Sequence, residues 1–170
     1  YPTENTLSDG NLKVTRTSGS NYAFLATIGV TSGKWYWEVQ TSKVGYTYIG
    51  IAEATHSPNT YIGAGSEPST GLELNASGNC AVYQGSIGSG GSAVSNFYAE
   101  GDVLGLALDL DSSTKTLKFY KADGTLANTH TISSTNALFP AGGIYNSSVS
   151  NEYQIYNFGA RPFNRSAPPG

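Results

Sequence analysis

Gly33-Lys34-Trp35-Tyr36-Trp37-Glu38-Val39 decides the fold of this chain. Trp35, Trp37 and Val39 alternate with Tyr36, Glu38 and Gln40, and a period of two places the first three on one face of an extended strand and the others on the opposite face. The stretch is opened by Thr31-Ser32-Gly33, a cluster that tolerates tight or left-handed backbone. Both tryptophans are expected to pack in the core, because each aromatic buries a large area and neither is placed as a sugar-stacking platform on such a strand.

The same pattern recurs along the chain. Gly101 to Asp109 (GDVLGLALD) continues into Leu110 with Leu106, Leu108 and Leu110 on one face, and Asp111-Ser112-Ser113-Thr114 then turns it into a second strand, Thr116 to Lys121, which ends at Asp123-Gly124. Short strands separated by turn clusters fill the rest. No window of a dozen residues has a period of 3.6, and the best helical candidate, a single turn near Thr55 to Thr60, contains Pro58. Gly85-Ser86-Ile87-Gly88-Ser89-Gly90-Gly91-Ser92 is expected to be a mobile surface loop, since Gly and Ser bring little to bury. The chain therefore reads as all-β and antiparallel.

Taken in order, the stretch at 33–39, Tyr48-Ile49-Gly50-Ile51-Ala52, the run from Gly101 to Asp109, Leu117-Lys118-Phe119-Tyr120 and Asn157-Phe158-Gly159-Ala160-Arg161-Pro162-Phe163 resemble the SPRY domain. The resemblance covers about Leu12 to Phe163, with residues 1–11 as a lead-in and 164–170 as a proline-ended tail or linker. It implies a bent β-sandwich of two antiparallel sheets, similar to a concanavalin A-like jelly roll. It also implies a non-enzymatic recognition module whose ligand meets loops at one rim. By segment matching, the rim is expected to include Ile144, Tyr145 and Asn146, which follow Phe139-Pro140, and the mid-chain Tyr83. Between Ile51 and Val82 the chain departs from animal members, and its Gly-, Ser-, Thr- and Asn-rich loops look more like SPRY-like modules of bacteriophage structural proteins. That narrower resemblance implies a place on a virion surface, in a tail fibre, tail tip or capsid-surface protein.

Composition constrains the partners. Ser, Thr and Asn make up about 30% of the 170 residues while 12% are charged, so the surface is polar by hydroxyl and amide. A formal charge of -3, with no Lys/Arg run beyond two residues, lacks the basic footprint of a nucleic-acid binder. The single cysteine, Cys80, makes no internal disulfide. No apolar run reaches the length of a membrane-spanning helix, and no charged-then-apolar leader is seen. The absence of methionine is expected of a processed product or a segment of a longer polypeptide.

Chemistry-bearing residues are few. His56 and His130 read as exposed loop histidines away from metal-ligand spacing, and Cys80 as a small buried hydrophobe without a base partner. Asp109 and Asp111 share a strand face and read as solvent-side residues at a hairpin end, with Asp111 bonding its own turn. Gly63-Ala64-Gly65-Ser66 lacks the Gly-Lys-Ser/Thr of a phosphate cradle, and no acid pair can be nominated for a glycan hydrolase or lyase. No cofactor and no metal are expected. Asn75, Asn146 and Asn164 stand in Asn-x-Ser/Thr triplets. Tyrosine offers rigid contact area and a hydroxyl at low entropic cost, so Tyr46, Tyr61, Tyr83, Tyr98 and Tyr145, all in or beside turn-rich segments, are the candidates for a recognition surface if they cluster. The expected ligand is a protein or a cell-surface glycan, the alternative role being structural decoration that binds another virion protein.

Overall fold

In the computed structural model, residues 5–16, 22–42, 45–145 and 152–167 are described. They form thirteen strands and no helix: β1 (Asn5–Ser8), β2 (Lys13–Arg16), β3 (Tyr22–Leu25), β4 (Lys34–Thr41), β5 (Tyr46–Glu53), β6 (Ser69–Leu74), β7 (Cys80–Tyr83), β8 (Gly88–Ser89), β9 (Val103–Asp109), β10 (Thr116–Tyr120), β11 (Leu126–Ile132), β12 (Leu138–Tyr145) and β13 (Tyr153–Asn157). An eight-stranded sheet has the order β1-β2-β13-β4-β9-β10-β11-β8, a five-stranded sheet the order β3-β12-β5-β6-β7, and every pairing is antiparallel.

The strand opened by Gly33 lies near the middle of the larger sheet, flanked by β13 and β9. Its inward residues Trp37 and Val39, with Leu104, Leu106 and Leu108 of β9 and Phe119 of β10, meet Ile49 and Ile51 of β5 and Leu72 and Leu74 of β6 in one continuous core. Trp35 departs from the expectation: although it shares a face with Trp37, it is 48% exposed. Its indole folds back on the preceding turn, where Nε1 donates to the Ser32 carbonyl at 2.8 Å. At Gly33, with φ +93°, a Cβ would lie only 3.0 Å from that nitrogen.

Polar side chains also cross the sandwich. Gln154 of β13, fully buried, donates to the carbonyls of Tyr48 at 3.0 Å and Gly143 at 3.4 Å, and accepts from the Tyr156 hydroxyl at 2.9 Å. These bonds tie β13 to β5 and β12, which carry three of the tyrosines described below, Tyr46, Tyr48 and Tyr145. A second link joins His130 of β11 to Thr70 of β6 at 2.8 Å.

Other expectations shift for local reasons. His130 is 0% and His56 5% exposed, so neither is an exposed loop histidine. Asn128, His130 and Ile132 form the inward face of β11, a polar alternation that the apolar pattern does not reveal. The Gly/Ser segment is pinned by Ile87, 4% exposed in the core, and its Gly88–Ser89 pair against Thr131 and Ile132 as a strand. Residues 55–60 form turns, not a helix. Asp109, not Asp111, caps its own turn, accepting from the amides of Asp111 and Ser112 at 3.0 Å, while Asp111 accepts from the Gly33 amide at 2.7 Å. The hydrogen bonds from Ser112 hold the Asp109 carboxyl down at about 2. β1 lies within the expected lead-in and pairs with β2. In the expected tail, the Arg165 guanidinium donates to the Lys121, Val103 and Ala122 carbonyls.

Candidate binding site

Strand β5 sets the site because its two faces differ. Ile49 and Ile51 point into the core, leaving Tyr46, Tyr48, Gly50 and Ala52 on the outer face. Across β6, Tyr48 is paired with Glu73 and Gly50 with Gly71, and Gly71 in turn faces Tyr83 of β7. Across β12, Tyr46 is paired with Tyr145, Tyr48 with Gly143 and Gly50 with Ala141. The register thus places tyrosines at one end of this face and glycine or alanine at its centre.

The connection 54–68 folds back over the small centre. Ile62 is fully buried there, and a Cβ on Gly71 would reach 3.0 Å from its Cγ2. Gly63, with φ +82°, lies so close to Tyr83 that a Cβ would stand 2.3 Å from the Tyr83 carbonyl oxygen. This loop delivers Tyr61 to the strand tyrosines. Tyr61 stacks on Tyr48 with ring centroids 5.0 Å apart, and Tyr83 stands edge-on to both, at 5.2 Å from Tyr61 and 5.8 Å from Tyr48. Each such pair adds about 0.5–1.5 kcal/mol beyond area burial. Tyr46 and Tyr145 form a neighbouring pair at 6.3 Å and are 46% and 37% exposed.

Glu73 lies among these rings. The Tyr48 hydroxyl donates to its Oε2 at 2.8 Å, and the Tyr83 phenol lies near enough to feel its charge. Burial, then the Glu73 bond and charge, pushes the Tyr48 hydroxyl far above the usual phenol range, and burial followed by the Glu73 charge raises Tyr83. The Tyr48 phenol is fixed as a neutral donor to a carboxylate.

The structure therefore gathers Tyr46, Tyr61, Tyr83 and Tyr145 of the expected residues on one face. Ile144 is a correction: it alternates with Tyr145 on β12, points inward and is 2% exposed, so it serves the interior. Asn146 lies outside the described residues. Tyr98 is apart from the cluster, 5% exposed in the core, with its hydroxyl donating to the Asn75 carbonyl at 2.8 Å. Sequence reasoning missed Tyr48 and Glu73. The spacing of Tyr46 and Tyr48 by two, and of Gly71 and Glu73 by two, was the available signal, since residues so spaced on a strand share a face.

Burial raises the Cys80 thiol and lowers His56, the latter despite Glu67, whose Oε2 is 3.3 Å from His56 Nδ1. Among the described residues no group of three His, Cys, Asp or Glu side chains could hold a metal ion. A cleft of about 190 Å³ does exist on the outer face of the eight-stranded sheet, lined by Glu38, Gln40, Asn157, Arg161, Pro162 and Asn164. The chain's own 161–164 segment forms its wall, and the Asn164 amide donates to Glu38 at 3.0 Å.

A rigid antiparallel sandwich with an aromatic patch displayed on one sheet defines a class of scaffold in which sheets hold a contact surface. The family model described as the SPRY domain matches residues 34–158, and the chain belongs to that family. SPRY domains are generally non-catalytic protein-interaction modules. Among solved structures, the SPRY domain of human HERC1 is similar at 19% identity and a TM-score of 0.69, covering 93% of this chain and 94% of that one. The PSpry domain of TRIM65 is similar at 18% identity and a TM-score of 0.67, covering 91% and 85%. Stonustoxin matches at 19% identity and a TM-score of 0.65, covering 91% of this chain and 27% of that one. No curated protein matches. The comparisons give no support to the narrower resemblance to phage structural proteins.

Proposed function

We propose that the chain is a non-enzymatic protein-recognition domain that binds through the outer face of its five-stranded sheet, with Tyr46, Tyr61, Tyr83 and Tyr145 as contacts and Tyr48 and Glu73 fixing their arrangement. The observation that carries this reading is the convergence of five tyrosines from β5, β7, β12 and the 54–68 loop on one face, two of them more than a third exposed. Aromatic side chains with fixed hydroxyls are enriched at the centres of protein interfaces, where a few anchors carry most of the affinity. The test is selection of a displayed random-peptide library on the whole chain, followed by affinity measurement against Tyr83→Ala/Tyr145→Ala. Binding at least tenfold weaker in the variant supports the face as the contact surface, and unchanged affinity refutes it.

The placement of this domain on a virion, facing a host-surface ligand, rests on its amide- and hydroxyl-rich loops. Saturable binding of the purified domain to intact bacterial cells or to a glycan array, lost in the same double variant, is the outcome it requires. A decorating role that binds another virion protein instead predicts no binding to either.

A further inference from the structure

The charge of the two sheets is unequal. Residues 22–33, 45–99 and 137–145, which hold the five-stranded sheet and its connections together with the short edge strand β8, contain Glu53, Glu67 and Glu73 and no lysine or arginine. The described cations lie on the larger sheet or on segments attached to it: Lys13 and Arg16 on β2, Lys34 on β4, Lys115, Lys118 and Lys121 on or beside β10, and Arg161 and Arg165 after β13. Arg16 reaches toward the smaller sheet from inside the sandwich, where it is 1% exposed and donates to the Ile144 carbonyl at 2.8 Å. Lys43 lies outside the described residues.

The three carboxylates of that sheet have different partners. Glu53 is 9% exposed and accepts from the Ser134 hydroxyl at 2.6 Å and the Asn136 amide at 2.8 Å. Glu67 accepts from the Ser57 amide at 2.8 Å and faces His56. Glu73 is half-buried among tyrosine rings and accepts from the Tyr48 hydroxyl at 2.8 Å, with no ion pair among the described residues. Neutral donors orient a carboxylate without cancelling its charge, and the negative faces of Tyr61 and Tyr83 add to its attraction for a cation.

We infer that the Tyr61–Tyr83–Glu73 cluster takes an arginine or lysine side chain of a protein partner, the cation lying against the rings and pairing with the Glu73 carboxylate. The inference rests on the proposed role of this face and names the chemistry of its occupant. A planar guanidinium suits both halves of the site, since it stacks on aromatic rings and forks onto a carboxylate. An acidic segment is disfavoured, because no described cation on this sheet would offset Glu73.

The test uses the peptides selected on the whole chain. Each is measured against wild type, Glu73→Gln and Tyr83→Ala, and again after its lysines or arginines are replaced singly by glutamine. Expected are peptides sharing a basic position, an affinity loss of at least tenfold in Glu73→Gln and a similar loss on replacing that basic residue. The two losses should also not add when combined, since they remove one pairing. Peptides that lose affinity in Tyr83→Ala but carry no required cation, or bind Glu73→Gln equally well, overturn this inference and leave the face as a binding surface. Peptides indifferent to Tyr83→Ala, or no peptides at all, overturn both. A far-UV dichroism and melting comparison of the variants keeps loss of fold from passing as loss of binding.

Discussion

His130 gives the fold a calculable sensitivity to acid. It is fully buried on β11, its ring 5.1 Å from that of Phe119, with Nδ1 at 2.8 Å from the Thr70 hydroxyl. Nε2, the other ring nitrogen, has no hydrogen-bond partner among the described residues. A second proton would put a charge into this apolar interior, and burial accordingly lowers the imidazole from 6.5 to about 4. The unfolded chain then binds the extra proton between these two values and the folded chain does not, so stability falls as pH drops from about 6.5 toward 4 and loses nothing further below. At about pH 4.5 the loss relative to about pH 7 is about 2 kcal/mol from this residue. The assay is urea unfolding at both pH values for wild type and His130→Leu. Carboxylates and His56 act alike in both proteins, so the wild type should lose about 2 kcal/mol more than the variant. An NMR titration of His130 should place its midpoint well below the normal histidine value. Equal pH dependence in the two proteins, or a His130 midpoint near 6.5, would refute the reasoning.

Three other outcomes follow from packing. Trp37→Ala should cost about 3–5 kcal/mol while Trp35→Ala costs about 1 kcal/mol or less, as read by chemical denaturation, because only Trp37 fills the core. Gly142→Ala should lower the melting temperature by several degrees, about 1–3 kcal/mol, since its Cβ would fall 2.1 Å from the Tyr156 hydroxyl oxygen and 2.3 Å from Gln154 Oε1. Cys80, 2% exposed and with its thiol raised by burial, should resist a thiol reagent in the native protein and react at the rate of a free thiol in denaturant.

The strand opened by Gly33 and the hairpin around Asp111 were legible because apolar residues alternate there with a period of two, whereas the two-sheet architecture was implied by the resemblance to the SPRY domain. Strand β11 was not, because its inward face is Asn128, His130 and Ile132, where hydrogen bonds replace apolar contacts. The exposure of Trp35 was hidden for a related reason: alternation fixes a face but not how far along the strand the opposing sheet extends. Turn-rich flanks pointed to Tyr61, Tyr83, Tyr46 and Tyr145, which the fold brings to one face. Tyr48 and Glu73 depend on the β5–β6 and β6–β7 registers, pairings across strands that local sequence does not specify. Ile144 failed by one residue, the distance at which a strand turns its side chains from one face to the other.

The proposed contact surface of this SPRY domain is the outer face of the five-stranded sheet. Backbone amide shift mapping of a selected peptide on the labelled chain tests it most directly. The account predicts the largest shifts at Tyr46, Tyr48, Tyr61, Glu73, Tyr83 and Tyr145, whereas shifts confined to the Glu38–Arg161 cleft on the opposite sheet would contradict it.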